Sequence, residues 1–411
     1  MYSTVNPINL LRALSMALEL SSGGLSRHHW RTAMIASRIA EAIGMEDFER
    51  HNLIYATLLH DIGAASNWQE KGQLRIAGAD FLYKHAQMGY DLLKNSTQLG
   101  YLAEAIRHHH DFWDGSSPSG LAGDKIPLHS RIIHLADRVE IQLHDNEFVF
   151  SQRADILTNI RKRSGTSFDP ELVKALHDFA SQESFWLDLM NPHYYQNFFS
   201  QIYDYGKVNF SLCDMIDIAE IFATIIDRTS RFTGAHSRSV ASISAFLAEG
   251  RGFCDDEVKM MRIAGLLHDL GKLSIPSSVL EKPGHLSGAE FHMIKQHTYY
   301  TYRVLEQIEG FETIAEWAAY HHETLDGVGY PFRIPEKALS LGARIVAVAD
   351  VFTALTETRP YRKNLTLQEV EKIMTGMVDH HKIDGGVTAD LFSNSRQIYD
   401  LQQQIIADSY F

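Results

Sequence analysis

Two stretches of this 411-residue chain carry side chains whose types and spacing could do chemistry. His268-Asp269-Leu270-Gly271-Lys272 sets an imidazole beside a carboxylate, with an ammonium group three residues further on. His321-His322-Glu323-Thr324-Leu325-Asp326-Gly327-Val328-Gly329-Tyr330-Pro331 runs two adjacent imidazoles into a glycine-rich turn closed by Tyr and Pro. Imidazole nitrogens and carboxylate oxygens bind first-row divalent ions, and a His/Asp set without Cys favours iron or manganese over structural zinc. Asp269 has two oxygens and can bridge two ions; a pair ~3.5–4 Å apart can hold a nucleophilic water and a phosphate together. Lys272 follows His268 by four residues, a spacing that predicts one turn along the same helix face. Gly271 is expected to let the backbone at Lys272 approach closely, and Asp326–Pro331 to form a turn with special backbone angles.

HDxGK followed by HHExxDGxGYP resembles the signature of HD-GYP phosphodiesterases, which open cyclic dinucleotide second messengers. The resemblance runs from about Phe210 to Leu391. It implies seven metal ligands. His236, His268, Asp269 and Asp350 would hold one ion; Asp269, His297, His321 and His322 would hold the other. Family members with a third metal carry a Glu shortly before the first His. Thr229–Ala235 has no carboxylate, and Asp227 is the nearest acid, so two divalent ions are expected, iron or manganese. The resemblance makes Lys272 and Asp269 catalytic: the ammonium reaches the scissile phosphate, where it neutralises developing charge or protonates the leaving oxygen. It gives Lys272, Tyr330, Arg359, Tyr361 and Arg362 substrate contacts, with Tyr330 stacking on a base and the arginines offering their planar forks to phosphate or guanine edges. A purely structural turn is the alternative for the GYP loop. The family usually has Asp where Thr353 stands, which puts support for Asp350 in doubt, and Arg344 is expected beside the site. A homodimer, and contact with a GGDEF protein through the GYP turn, are left open by the resemblance.

These residues need elements to position them, and the elements are written twice. LLHDLG at 266–271 echoes LLHDIG at 58–63, His297 echoes His85, and HHETLDG echoes HHDFWDG, so that His321 pairs with His109. ARIVAVAD, ending at Asp350, echoes SRIIHLAD, ending at Asp137, and HSRSVASISAFLAEG from His236 pairs with the segment opening at His29, 207 residues earlier. GTSFDPELVKAL at 165–176 resembles the segment that closes HD-GYP domains. Apolar residues recur at helical spacing, as at Leu212, Met215, Ile216, Ala219 and Phe222, and no alternating strands are evident. The expected fold is all-α, two HD-type helical bundles in tandem: residues 1–205 a degenerate, regulatory or structural HD domain, and 206–411 a catalytic HD-GYP domain. The first copy keeps His29, His60, Asp61, His85, His109, His110 and Asp137, a ligand set that leaves metal binding open. It lacks the Lys (Ala64 stands there), the GYP turn and the R-P-Y-R segment, so no phosphodiester chemistry is expected of it. The aromatic-rich stretch 180–205 is expected to pack between the halves.

The composition sets limits. A net charge of −13 means the surface as a whole does not attract polyanions, and no basic run points to a DNA or RNA polymer. Two cysteines without metal spacing suit a reducing compartment. The N-terminal residues read as an amphipathic helix, not a signal peptide, and no run of about 20 apolar residues suggests a membrane span. A cytoplasmic metal-dependent phosphodiesterase acting on c-di-GMP or 3′,3′-cGAMP, giving a linear 5′-phosphorylated dinucleotide, is the expectation. A non-catalytic cyclic dinucleotide sensor and an HD phosphohydrolase of mononucleotides are the alternatives.

Overall fold

The structure, a computed structural model, describes residues 4–20, 27–64, 79–203, 209–229, 235–357 and 365–408. It is all-α: among the described residues the only β pairings are the isolated bridges Val5–Phe210 and Ser164–Phe168. The chain divides into two compact units, one of residues 6–209 and one of residues 210–411 that also takes in Val5. The expected boundary between residues 205 and 206 lies outside the described residues.

The N-terminal unit contains α1 (Pro7–Leu20), α2 (His28–Ala42), α3 (Asp47–Leu58), α4 (Ala79–Leu93), α5 (Ala103–Arg107), α6 (Leu128–Glu140), α7 (Val149–Lys162), α8 (Pro170–Phe179), α9 (Glu183–Met190) and α10 (Pro192–Tyr203). Helix α2 packs on α3 and α6, and a 3₁₀ turn at Ile62–Ala64 packs on α4. Helix α1 is more than amphipathic: Ile8, Leu10, Leu11, Leu14, Ala17 and Leu18 are all buried, so it belongs to the core of its unit. The aromatic stretch also serves this unit. Tyr195 and Phe199 meet Trp30 edge-on, at ring separations of 6.2 and 5.5 Å, and Trp186 Nε1 donates to Ala180 O at 2.9 Å.

The C-terminal unit contains α11 (Leu212–Asp227), α12 (His236–Gly250), α13 (Asp255–Leu267), α14 (Ser277–Leu280), α15 (Gly288–Leu305), α16 (Glu312–Ala319), α17 (Leu341–Thr356), α18 (Leu367–Asp379), α19 (Gly385–Ser393) and α20 (Ser395–Asp408). The same plan recurs: α12 packs on α13 and α17, and a 3₁₀ turn, here Leu270–Ser274, packs on α15. Short polar residues start the helices. Ser211 with Asp214, Ser287 with Glu290 and Thr366 with Glu369 form reciprocal capping boxes that satisfy otherwise orphaned N–H groups. Asp227 does similar work between elements: at the end of α11 it accepts from Ser237 N at 3.2 Å and Ser237 Oγ at 2.7 Å, in the first turn of α12. Burial pushes its carboxyl up to about 6.

Candidate metal centre

In the C-terminal unit α12 begins at His236, α13 stops at Leu267 just before His268-Asp269, α15 carries His297, the end of α16 leads into His321-His322, and α17 carries Asp350. These seven side chains converge, in two groups that share Asp269. Its Oδ2 lies 3.2 Å from His268 Nε2 and 3.8 Å from His236 Nε2. Its Oδ1 lies 3.4 Å from His297 Nε2 and 3.9 Å from His321 Nε2. Asp350 Oδ1 faces His236 Nε2 at 3.1 Å and His268 Nε2 at 3.8 Å. His322 joins His297 and His321, their facing atoms all within 4.8 Å.

Three of the imidazoles are aimed by hydrogen bonds from the other nitrogen to the backbone. Nδ1 of His268, His297 and His321 donates to the carbonyl three residues earlier, Gly265, Ile294 and Ala318, at 2.7–2.8 Å. That fixes the tautomer that turns a bare Nε2 inward. Burial holds His297 neutral, with its pKa lowered to about 3, and lowers those of His321 and His322 as well. Burial pushes the Asp269 carboxyl upward, but the imidazole of His268 and the ammonium of Lys272 hold it well below the usual range. Imidazoles with Nε2 turned towards carboxylate oxygens form a donor set that fits divalent cations. Among the described residues the buried His268 Nε2 has no hydrogen-bond partner, which also suits a ligand position.

Lys272 does not sit one helical turn along from His268. Helix α13 ends at Leu267, and the 3₁₀ turn Leu270–Ser274 takes over, which brings the Lys272 ammonium onto Asp269 Oδ2. Gly271 serves a different close approach from the one expected: a Cβ there would meet His297 O at 1.9 Å, so glycine lets the turn lie directly against α15. Gly63 repeats this in the first unit, where a Cβ would meet His85 O at 2.0 Å.

The GYP loop is organised by Glu323, buried, whose carboxylate accepts from the backbone N–H of Phe332 at 2.7 Å, Arg333 at 3.1 Å and Ile334 at 3.0 Å. The Tyr330 ring leans on His322 at 4.9 Å with Lys295 Nζ 5.0 Å from its centroid, so it borders the cluster. Arg344 does not support the site. Its guanidinium is bonded to Leu339 O, Glu336 O and Asp384 Oδ2. Arg359, Tyr361 and Arg362 lie outside the described residues.

The N-terminal unit assembles a parallel cluster. Asp61 Oδ1 is 3.3 Å from His85 Nε2 and 3.6 Å from His60 Nε2, while Oδ2 is 3.8 Å from His29 Nε2. His85 Nε2 meets His109 Nε2 at 3.3 Å and His110 Nε2 at 3.1 Å. The structure corrects the register of the repeat. The counterpart of His236 is His28, not His29: each opens its helix, and His28 Nε2 lies 3.5 Å from Asp137 Oδ1. His29 then matches Ser237, and Glu19, which accepts from His29 N at 2.5 Å, matches Asp227. Sequence reasoning missed His28 because His29 alone was weighed; a constant 208-residue spacing, as between His60 and His268, would have found it. Where the second unit has Lys272, the first has buried Ala64, and Arg138 instead brings a guanidinium to Asp137 Oδ2 at 3.2 Å.

Comparison with known proteins agrees with this architecture. Models of the HD domain match residues 220–387 and 25–141. The 3′3′-cGAMP-specific phosphodiesterase 1 of Vibrio cholerae is 32% identical over 406 residues, which cover 96% of this chain and 94% of that protein. The chain belongs to the HD-GYP family. A second relative, the 3′3′-cGAMP-specific phosphodiesterase 3 of the same organism, is 27% identical over 89% of each chain. The cyclic di-GMP phosphodiesterase of Thermotoga maritima is 36% identical but matches only 38% of this chain and 43% of its own. Among solved structures, a cyclic GMP-AMP-specific phosphodiesterase of V. cholerae superposes over 96% of this chain and 98% of that one, with a TM-score of 0.67 and 24% identity, a likeness of fold.

Proposed function

We propose that the C-terminal unit is a two-metal phosphodiesterase that opens a cyclic dinucleotide to a linear dinucleotide with a 5′ phosphate. One observation carries this reading: the two oxygens of Asp269 face two separate groups of inward-turned imidazoles, with the Lys272 ammonium on the same carboxylate. His236, His268, Asp269 and Asp350 would hold one ion, and Asp269, His297, His321 and His322 the other. Iron or manganese suits this nitrogen- and oxygen-rich set. Bound ions would supply Lewis-acid charge and lower the pKa of water. The protein's part is to aim the imidazoles, keep Asp269 ionised and place Lys272 at the polar edge of the cluster. There its ammonium stabilises phosphate charge and protonates the departing ribose oxygen. Tyr330, at the rim, is placed to border a base.

For the substrate, 3′,3′-cGAMP is favoured over c-di-GMP. The relatives that share both units are named for the former, whereas the cyclic di-GMP phosphodiesterase above matches 38% of the chain. The N-terminal unit is read as a metal-binding but non-catalytic partner, because Ala64 replaces the lysine. The test is incubation of the manganese- or iron-loaded full chain with each cyclic dinucleotide and identification of products by mass. Linear phosphorylated dinucleotide is expected, formed faster from 3′,3′-cGAMP. Binding of either compound without any turnover would instead favour a sensor.

A further inference from the structure

Two carboxylates outside every motif hold equivalent histidines in the two units, and they do so from different places on the helix. In the N-terminal unit Glu140, the last residue of α6, stands three residues beyond Asp137 and accepts from His28 Nδ1 at 2.5 Å. In the C-terminal unit the place three residues beyond Asp350 belongs to Thr353, fully buried, whose Oγ1 has no hydrogen-bond partner among the described residues. The carboxylate on His236 comes instead from Glu357, just past the end of α17, with its oxygens 3.2 and 3.3 Å from Nδ1. Glu357 is itself buried, and its backbone N–H donates to Thr353 O at 3.0 Å. Four residues are about one helical turn, so positions 353 and 357 lie on the same face, roughly 6 Å apart along the axis.

The histidine is oriented alike in both units, with Nδ1 on the glutamate and Nε2 towards the aspartate: His28 towards Asp137 at 3.5 Å, His236 towards Asp350 at 3.1 Å. His268, His297 and His321, by contrast, rest their Nδ1 on neutral carbonyls. A carboxylate behind a metal-ligating histidine locks the ring and makes the inward nitrogen a better donor, and losing such a partner typically weakens metal binding about 10–100-fold.

We propose that Glu357 is the positioning residue for His236, doing from one turn further along α17 what Glu140 does for His28, so that position 353 is a vacated carboxylate site. This rests on reading the C-terminal cluster as a metal centre. The test uses full-length protein stripped with chelator and titrated with Mn²⁺, following free Mn²⁺ by its electron paramagnetic resonance. Turnover of 3′,3′-cGAMP is measured across the same Mn²⁺ range. The C-terminal ions are defined as those absent from a His268→Ala/Asp269→Ala variant.

Glu357→Gln, nearly isosteric, should weaken those ions about 10–100-fold and move the Mn²⁺ needed for half-maximal rate by a similar factor, with the rate largely recovered at saturating Mn²⁺. Adding Thr353→Glu or the smaller Thr353→Asp to Glu357→Gln should recover at least about 10-fold of that affinity, a rescue that a merely structural glutamate would not show. Unchanged Mn²⁺ affinity in Glu357→Gln overturns the proposal. So does a loss that neither carboxylate at 353 restores in a protein that folds by circular dichroism. Wild-type protein binding no more Mn²⁺ than His268→Ala/Asp269→Ala would instead remove the metal-centre reading itself, a separate result.

Discussion

Lys272 and Asp269 show how close two roles can sit within one pair of residues. The ammonium is on Asp269 Oδ2, the same oxygen that faces His268 and His236, yet it belongs to neither imidazole group. Lys272→Ala is therefore expected to keep its metal while losing roughly 10²-fold or more in turnover, the usual size for a lost proton-transfer or charge-stabilising group. Metal analysis beside steady-state rates checks both halves of that statement, and an unchanged rate would return the lysine to a solvated role. His268→Ala with Asp269→Ala should instead lose most C-terminal metal and all turnover, since Asp269 faces both groups. That variant holding as many ions as wild type, by elemental analysis, would refute the shared-carboxylate arrangement.

Among the elements, the 3₁₀ turn after the His-Asp pair is the most exacting. It lies so close to α15 that Gly271 cannot accept a methyl group: the backbone carbonyl of His297 stands where the Cβ would be. Gly271→Ala should push the turn off α15, costing about 1–3 kcal/mol as overpacking does and spreading Asp269 from His297. A lowered melting temperature together with a fall in rate is expected; a variant with wild-type stability would show that the turn has slack. A milder case is the start of α19. Asp384 accepts from Val387 N at 3.0 Å and pairs with Arg344 at 3.1 Å. Asp384→Ala should cost about 1 kcal/mol, as for a lost helix cap, measured by denaturant unfolding. Burial pushes this carboxyl up, but the Val387 N–H and Arg344 hold it below the usual range. Its folded-state pKa is thus depressed. Its contribution is present above the unfolded pKa, about 4, and is lost as pH falls further through the lower folded value.

On the scale of the whole molecule, a metal-ligand cluster is built twice and the lysine only once. The first unit brings His28, His29, His60 and Asp61 within 4.8 Å of one another, but Ala64 stands where the second unit has Lys272. Changing His60 and Asp61 to Ala together should leave cyclic dinucleotide turnover in place. It should also lower the melting temperature of metal-loaded protein, because an ion held only by the folded state stabilises it. Loss of turnover with C-terminal metal intact would make the first cluster part of the chemistry. No helix among the described residues is long and apolar enough to cross a membrane.

The all-α fold, the duplication and the identity of the inward-facing histidines could be read from the sequence, because adjacent His-Asp and His-His pairs on helical repeats leave a spaced signature in one dimension. What the spacing could not reveal was where helices stop. Four residues from His268 to Lys272 look like a helical turn, yet α13 ends at Leu267, because local spacing is the same for an α-helix that continues and one that tightens into 3₁₀ geometry. The first histidine of the repeat was misplaced by one residue for a related reason: His28 and His29 are equivalent as letters, and only the helix start decides which ring faces Asp137. Glu357 and Glu140 lie in no motif, and Glu323, though inside HHExxDGxGYP, is given no role by it. Their partners are separated from them by 121, 112 and 9–11 residues, so their roles exist only once tertiary packing brings a carboxylate behind an imidazole or under a loop.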